Sequence, residues 1–333
     1  MDADYRNTLP LAALFMIMRV LIVASYNKKR FAPFIQEQAA ALQREGCEID
    51  WFGVTGKGIS GYISAFPALM RKIAEYKPDV IHAHYGLSGL LANLQRRTPV
   101  VTTYHGSDIN NKIPRTFSKL SMMLSQWNIF VSAATMKIAH PHRCFSLLPC
   151  GVDLNDLQLT DKQQAREQMC LSPDAKYILF AGAFDNQVKN APLAKVAVAE
   201  LTHNDAYALS ENTNVHLIEL KGYNRDEVTL LMCAADALLL TSKTEGPPQV
   251  VKEAMACGCP VVSVDVGDVK ERTEGIKGCF VAHSRQPQDL ALLLGQALAF
   301  NGKTDGRSRI ISGGLDNKHV AHCVREIYNK IVK

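Results

Sequence analysis

The chain has 333 residues, of which 47% are hydrophobic and 21% charged. These values are typical of a soluble globular protein with about two domains, and they exclude a disordered or low-complexity chain. The net charge of +5 is uneven, because residues 1–150 carry 17 Lys and Arg against 9 Asp and Glu, whereas residues 151–333 carry 20 against 23. The basic half either has an anionic partner (a lipid headgroup, a lipid-linked phosphate or a nucleic acid) or is a solvated, lysine-rich surface.

Cysteine spacing and the N-terminal segment indicate the compartment. The nine cysteines form no C-x-x-C pair, which favours a reducing cytosol over disulfides or a zinc site. The apolar run Leu9–Ala24 is similar to a signal peptide, but residues 1–8 are not basic. We interpret residues 1–17 as an extension or a start-codon artefact. No other run approaches the roughly 20 apolar residues of a membrane span, so we expect a cytoplasmic protein.

Short β-branched runs alternate with helical patterns along the whole chain. Because these runs are almost continuously apolar, they indicate parallel sheets covered by helices on both faces. We predict an α/β fold with two doubly wound, Rossmann-like domains facing a cleft. The first predicted strands are Arg19–Ser25, Ile49–Val54, Val80–Ala83, Val100–Tyr104, Ile129–Val131 and Phe145–Leu148, with helices Pro33–Arg44, Ala65–Tyr76, Ser88–Arg97 and Arg115–Gln126. The second series of strands is Tyr177–Ala181, Val215–Leu220, Ala237–Thr241, Pro260–Val264 and Cys279–Ala282.

The segment 244–262, TEGPPQVVKEAMACGCPVV, carries the strongest motif. A proline-bearing turn opens a helix here, and the free amides and positive dipole end of that helix would suit a diphosphate. The segment resembles the E-G-x-P-x-V-x-x-E-A signature of retaining, nucleotide-sugar-dependent glycosyltransferases of family 4, which have the GT-B fold.

The resemblance implies a donor site in this segment. It gives Glu245 a hydrogen bond to the donor sugar, and Glu253 a contact with the ribose. The backbone of Gly246 and Pro248 would hold the sugar and phosphate. The donor-binding set is therefore Gly246, Pro248, Gln249, Val250 and Glu253, with Glu245 counted among the catalytic residues.

The resemblance also sets the domain limits. The turn PCGVDLN at 149–155 is similar to the P-x-G-V-D turn that joins the two domains in this family. We predict an acceptor-binding domain at 18–151 and a donor-binding domain at 152–316. The final helix, Asn317–Ile331, would cross back onto the first domain, so that residues 317–333 belong to it.

Two motifs at strand ends supply further candidates. In TTYHGSD the resemblance places His105 near the donor sugar and its phosphate, as a third catalytic candidate with Glu245 and Lys189. Ser107 and Asp108 are assigned to the acceptor, although Asp108 could instead hold a loop. In HAHYGLSG, His84 lies close enough to the strand end to bind the acceptor; the alternative is a hydrogen-bonded structural histidine.

The segment FAGAFDNQVKN, 180–190, resembles a G-R-x-x-x-x-x-K-G motif whose two cations neutralise the departing diphosphate. Lys189 matches the lysine, but Ala183 stands where the family has arginine. Fixed positive charge is usually the largest catalytic contribution for such a leaving group. Either another cation, for instance from the loop Asn27–Arg30, compensates, or the donor lies differently.

The loop SYNKKRFAPF, 25–34, lacks the glycine pair that many relatives have. Asn27, Lys28 and Arg30 are assigned to a phosphate or an anionic acceptor, and solvated side chains are the alternative. No Asp-x-Asp occurs outside residues 2–4 and no G-x-G-x-x-G follows either first strand, so neither a metal nor a dinucleotide cofactor is expected. The segment between Ala194 and Val215 is short for this family.

The sequence thus predicts a retaining, metal-independent glycosyltransferase that moves a sugar from a UDP- or GDP-sugar to a glycan or lipid-linked acceptor. Surface-polysaccharide biosynthesis in a bacterium is the expected setting, with peripheral attachment to the inner face of the membrane through the basic half and no nucleic-acid partner. The alternatives are a non-catalytic nucleotide-sugar-binding subunit, motivated by Ala183, and a GT-B nucleotide-sugar epimerase.

Overall fold

The computed structural model describes residues 17–27, 29–56, 58–155, 157–203, 213–300 and 302–332. The predicted acceptor residue Lys28 and nearly all of the predicted extension lie outside these residues. No helix in the described ranges is both long and apolar enough to cross a membrane.

The first half of the chain forms a six-stranded parallel sheet with the strand order β2-β1-β3-β4-β5-β6. Its strands are β1 (Met18–Ser25), β2 (Cys47–Val54), β3 (Val80–His84), β4 (Val100–Tyr104), β5 (Trp127–Phe130) and β6 (Phe145–Leu147). The intervening helices are α1 (Pro33–Arg44), α2 (Gly58–Tyr76), α3 (Gly86–Asn93), α4 (Ser107–Asn110), α5 (Lys112–Leu124) and α6 (Ala133–Ala139). All six predicted strands are present.

The second half forms a five-stranded parallel sheet with the order β11-β10-β9-β7-β8. Its elements in chain order are α7 (Lys162–Gln168), β7 (Lys176–Phe180), α8 (Ala191–His203), β8 (Val215–Glu219), α9 (Arg225–Ala234), β9 (Ala237–Leu240), α10 (Gln249–Cys257), β10 (Val261–Val264), α11 (Val269–Thr273), β11 (Cys279–Ala282), α12 (Pro287–Ala299), α13 (Gly306–Ser312) and α14 (Asn317–Ile331). The predicted α/β class with two parallel sheets is confirmed.

Strand alternation divides the first sheet between two apolar clusters. Val20 and Ile22 of β1 pack with α1 and α14 on one face, whereas Leu21 and Val23 pack with α2 and α3 on the other. Successive strand residues point to opposite faces, so an uninterrupted apolar strand is the pattern that a doubly covered sheet requires.

The last helix returns to the first sheet, as predicted. Val320, Val324 and Tyr328 of α14 are fully or almost fully buried in the cluster that contains β1. Burial of each such side chain contributes about 1.5–3 kcal/mol to stability. This contact therefore holds α14 against the first sheet. The domain limits at 151/152 and 316/317 stay a prediction.

Candidate active site

The carboxyl ends of strands from both sheets face a cleft of about 520 Å³. Ligands of doubly wound sheets collect at this edge. The first half contributes residues that follow β4 and β5, and the second half those that follow β9 and β10. The lining includes Asn110, Ser132 and Thr135 from the first half, and Glu245, Gly246, Pro247, Gly267 and Asp268 from the second.

Two predicted catalytic residues form an ion pair at the edge of this cleft, which Glu245 lines, although 56 positions separate them. Oε1 of Glu245 accepts hydrogen bonds from Lys189 Nζ at 2.6 Å and from Ser242 Oγ at 2.7 Å. Both charged side chains are about one-fifth exposed, 22% for Lys189 and 17% for Glu245. The carboxylate is therefore held beside one cation while it still borders the cleft.

Gly182 makes room for that lysine. A Cβ at Gly182 would lie 2.7 Å from Cγ of Lys189, so the lysine stem crosses the glycine in direct contact. The next residue is Ala183, where the family has arginine. The glycine thus lets Lys189 run back over the loop toward Glu245.

The turn before α10 packs tightly on the loop after β10. A Cβ at Gly267 would lie only 2.1 Å from the carbonyl oxygen of Gly246, and Gly267 has φ +62°. On the opposite side, a Cβ at Gly246 would lie 3.6 Å from the carbonyl oxygen of His105. Gly246 is therefore positioned between the two halves.

Helix α10 begins after Pro248, which is its N-cap. The first-turn amides of a helix have no partner within it, so this end can receive an anion. Gln249 donates from Nε2 to the carbonyl of Gly151 at 2.8 Å, while its buried Oε1 has no hydrogen-bond partner among the described residues. Val250 packs half-buried against the core of the second sheet. The side chain of Gln249 therefore ties α10 to the turn that joins the halves.

Glu253, the predicted ribose ligand, is buried and ion-paired. Oε1 of Glu253 lies 2.9 Å from one guanidinium nitrogen of Arg225, and the second nitrogen lies 2.8 Å from Glu37 Oε1 on α1. Arg225 therefore connects α10 to helix α1 in the first half of the chain. Neither Arg225 nor Glu37 was predicted, because neither lies in a motif and both are far from Glu253 in sequence.

Lys252 was also not predicted. Its side chain is 1% exposed, and its Nζ donates to the carbonyl of Cys150. Burial lowers the pKa of this ammonium group, although the neighbouring Cys150 and Asp268 act in the opposite direction. The contact gives α10 a second attachment to the turn between the halves.

Three histidines stack behind the cleft. The ring centroids of His82 and His84 are 4.6 Å apart, and those of His84 and His105 are 5.3 Å apart. Nδ1 of His84 lies 3.0 Å from Nε2 of His105, and His82 contacts the hydroxyls of Tyr328 and Thr103 at 2.5 and 2.8 Å. We call His82, His84 and His105 the histidine row.

The histidine row is uncharged near neutral pH. Burial lowers the pKa of His82 to about 3, and burial together with the charge of His82 lowers that of His105 to about 3. The pKa of His84 lies well below its ordinary value, for the same reason and because of both neighbours. His105 is thus a neutral ring rather than a cation, and its two nitrogens contact His84 at 3.0 Å and the Cys150 sulfur at 3.8 Å. His84 is buried and hydrogen-bonded to His105, which fits the alternative of a structural histidine.

Two aromatic rings pack against His105. The rings of Phe34 and Tyr85 lie 4.8 and 4.7 Å from it. Tyr85 has φ +71°, a conformation that is costly for a bulky residue and is often found at functional sites. No sequence signal marks that strain, since tyrosine rarely occupies this region.

Asp108 holds two loops together. Its buried carboxylate accepts hydrogen bonds from the amides of Gly86, His105 and Gly106 at 3.0–3.1 Å. Burial raises the pKa of this carboxyl to about 6, although the three amides act in the opposite direction. These contacts fit the alternative in which Asp108 holds a loop in place. Ser107, the preceding residue, is exposed.

The predicted basic loop gives a mixed picture. Asn27 accepts a hydrogen bond from the Gly56 amide at 2.7 Å and donates to Ser25 Oγ at 3.2 Å, so it joins the loops after β1 and β2. Arg30 is exposed. The roles assigned to these two residues, like the other site roles, stay predictions.

Comparisons with known proteins identify the family of the chain. Residues 36–156 match the family model described as Glycosyltransferase Family 4, and residues 175–299 match that described as Glycosyl transferases group 1. A D-inositol 3-phosphate glycosyltransferase of Mycolicibacterium gilvum is 27% identical over 303 residues, which are 78% of this chain and 68% of that protein. The putative teichuronic acid biosynthesis glycosyltransferase TuaC of Bacillus subtilis is 26% identical over 58% of this chain and 54% of its own length.

Solved structures share the fold. Sucrose-phosphate synthase from Thermosynechococcus elongatus superposes with a TM-score of 0.72 at 17% identity, covering 94% of this chain and 99% of that one. HepE from Anabaena in complex with UDP superposes with a TM-score of 0.69 at 17% identity, covering 94% and 100%. Together with the family models, these matches define the class: the protein is a glycosyltransferase with the GT-B fold. It belongs to glycosyltransferase family 4, and the predictions of family, fold and enzyme class are confirmed.

Proposed function

We propose that this enzyme is a retaining glycosyltransferase that transfers a sugar from a UDP- or GDP-sugar to a glycan or lipid-linked acceptor. The observation that carries the proposal is the Lys189–Glu245 ion pair beside the start of α10, in a cleft shared by both halves. HepE has been solved with UDP and with UDP-glucose, which supports a nucleotide-sugar donor, and TuaC is named for teichuronic acid biosynthesis.

Donor binding would rearrange the charges of this site. The diphosphate would take the amides at the start of α10 and compete with Glu245 for Lys189. Glu245, still held by Ser242, could then accept hydrogen bonds from the sugar hydroxyls. Glu253 would exchange its contact with Arg225 for the ribose hydroxyls.

The leaving diphosphate would be stabilised without a metal. Preorganised positive charge aimed at the leaving group is the main catalytic contribution expected here, and Lys189 with the α10 dipole would supply it. In the front-face route, the acceptor oxygen bonds to the anomeric carbon on the side from which the phosphate oxygen departs. The acceptor proton passes to that phosphate oxygen, so the configuration is retained.

The acceptor would lie against the first half of the chain. Ser107 and Arg30 are exposed on this half, and its excess of cations would suit an anionic or lipid-linked acceptor. Asn27 and His84 stay candidates from their motifs. Surface-polysaccharide assembly at the cytoplasmic face of a bacterial membrane would present such a substrate.

The test is nucleotide release from a panel of UDP-, GDP- and ADP-sugars. Glu245→Ala should lower turnover about 10²–10³-fold, as loss of one preorganised polar group does in other active sites, whereas Glu75→Ala on the exposed side of α2 should not change it. Donor binding without turnover, unaffected by Glu245→Ala, would instead indicate a non-catalytic binding subunit. Conversion of the donor to its epimer with no acceptor present would indicate an epimerase.

A further inference from the structure

A basic surface lies next to the cleft. Residues 109–152 contain five Lys and Arg and no Asp or Glu, although the average acidic content of the chain would give about four. This segment includes α5, α6 and β6. Within the segment itself its positive charge is therefore not balanced, as it is on an ordinary mixed surface; acidic residues lie across the cleft, at Asp268, Glu271 and Glu274.

Helix α5 presents cations and large apolar side chains on one face. Its exposed positions are Lys112, Ile113, Thr116, Lys119, Leu120 and Met123, which recur at helical spacing. Ile113 is 76% and Met123 is 74% exposed. Residues of this size are normally buried, so their clustering on one helix face indicates a surface that binds something.

The opposite face of α5 packs closely on α3 through small residues. A Cβ at Gly86 would lie 1.9 Å from Ser118 Oγ, and a Cβ at Gly89 would lie 2.3 Å from Ser121 Oγ. This contact fixes the rotation of the helix. The apolar side chains on the outer face are consequently held outward by the fold.

The exposed apolar area continues beyond α5. Ile138 on α6 and Phe145 and Leu147 on the edge strand β6 are each 37–44% exposed. Between α5 and the segment 139–143 lies a groove of about 370 Å³, whose lining includes Lys119, His140, His142 and Arg143. The groove has the size and charge for a phosphate-bearing headgroup. We call the surface of Lys112, Ile113, Lys119, Leu120, Met123, Ile138, Arg143, Phe145 and Leu147 the α5–β6 surface.

The α5–β6 surface borders the cleft. Asn110 and Ile138 line the cleft together with Glu245, and Lys112 follows Asn110 by two residues. A flat partner on this surface would therefore lie beside the entrance through which an acceptor must pass.

We propose that the α5–β6 surface docks on an anionic lipid bilayer, with its cations at the headgroup phosphates and its apolar side chains among the upper acyl chains. Cations combined with apolar side chains on one helix face are typical of interfacial helices. A second copy of the chain fits less well, since a two-fold contact of the α5–β6 surface would bring three cations against three. The inference rests on the proposed lipid-linked acceptor, because it gives that acceptor its route into the cleft.

The test measures co-sedimentation of the full chain with phosphatidylcholine vesicles, with or without about 30% phosphatidylglycerol. We expect binding only to the anionic vesicles, and weaker binding at high salt. Each lysine near such a surface contributes about fivefold to binding, so Lys112→Glu/Lys119→Glu should weaken it at least about 25-fold. The matched control, Lys277→Glu/Lys318→Glu, makes the same change of net charge at exposed lysines elsewhere and should bind normally.

A second variant tests the apolar part. Ile113→Ser/Met123→Ser should keep its melting temperature, because both side chains are mostly exposed, but should lose the binding that remains at high salt. The proposal is overturned if the wild type ignores anionic vesicles or if the control variant loses binding equally. It is also overturned if Ile113→Ser/Met123→Ser only dissociates a dimer. Vesicle binding does not require the sugar donor. If vesicle binding fails, the transferase proposal still stands. If the enzyme shows no turnover, the vesicle-binding result still stands.

Discussion

The histidine row should make the enzyme acid-sensitive. Because burial holds the folded-state pKa values of His82 and His105 near 3, the unfolded chain takes up these protons first as the pH falls. The stability that the uncharged histidines contribute is fully present above the ordinary histidine pKa of 6.5. It is lost as the pH falls from about 6.5 to 3. Asp108 acts in the opposite direction, since its raised pKa lets the folded state bind a proton first below about pH 6.

The size of the effect follows from the number of protons. Each proton bound only by the unfolded state lowers the free energy of unfolding by about 1.4 kcal/mol per pH unit. His82 and His105 together give about 2.7 kcal/mol per pH unit near pH 5, and Asp108 returns about 1.4 of it. His84 acts in the same direction as the other two histidines. The net slope is thus at least about 1.4 kcal/mol per pH unit, against a typical total stability of about 5–15 kcal/mol.

His82→Gln separates titration from hydrogen bonding. Glutamine keeps a donor and an acceptor for Tyr328 and Thr103 but does not ionise in this range. Urea unfolding of the variant at about pH 7, 6 and 5 should show a slope about 1.4 kcal/mol per pH unit smaller than that of the wild type. His142→Gln, at an exposed histidine outside the row, should follow the wild type. Parallel stability curves for His82→Gln and the wild type would refute the buried, neutral state of the row.

Three further predictions concern the donor site. Lys189→Ala should lower turnover about 10²–10³-fold, while Lys303→Ala at the surface should have little effect; equal activities in nucleotide-release assays would exclude the phosphate role. Ala183→Arg restores the cation that the family has at this position, and it should raise donor affinity measured by calorimetry, more strongly at low salt; unchanged affinity would show that the diphosphate lies elsewhere. Gly267→Ala should lower the free energy of unfolding by more than Gly275→Ala in urea titrations, because both residues have positive φ but only the first would clash with Gly246. Equal losses of unfolding free energy in the two variants would mean that the turn at Gly246 moves to accommodate the added methyl group.

Element identity was predictable, whereas some helix ends were not. The apolar runs gave all eleven strands, and Pro33 marked the start of α1 because proline suits the first helical turn. Helix α2 begins seven residues before the predicted Ala65, in a glycine-bearing stretch that is not periodic enough to indicate a helix. Helix α3 ends early because Gln95 accepts hydrogen bonds from the amides of Arg97 and Thr98, and Arg96 has φ +58°.

Motif residues of the site were predictable, but their partners were only partly so. Glu245 and Lys189 came from separate motifs, and the fold brings them within 2.6 Å of each other. Arg225 belongs to no motif, and its contact with Glu253 depends on how the α9 end meets α10. The loop Asn27–Arg30 was the predicted source of the compensating cation. The side chain of Asn27 instead joins the loops after β1 and β2. Local patterns indicate which residues a site contains, whereas the pairing of charges depends on tertiary geometry.

The ion pairs of Glu245 and Glu253 change what the alanine at position 183 implies for the charge of the site. Without a donor, each motif glutamate already has a cation, Lys189 for Glu245 and Arg225 for Glu253, at 2.6 and 2.9 Å. Arg225 also contacts Glu37, so three carboxylates face two cations. A diphosphate that enters the cleft therefore meets no surplus of positive charge from these side chains. Its charge must be met by the amides of α10 and by cations that exchange a carboxylate for a phosphate. An arginine at position 183 would have added a charge outside these pairs. Under the proposed mechanism, catalysis would therefore depend on the exchange at Lys189.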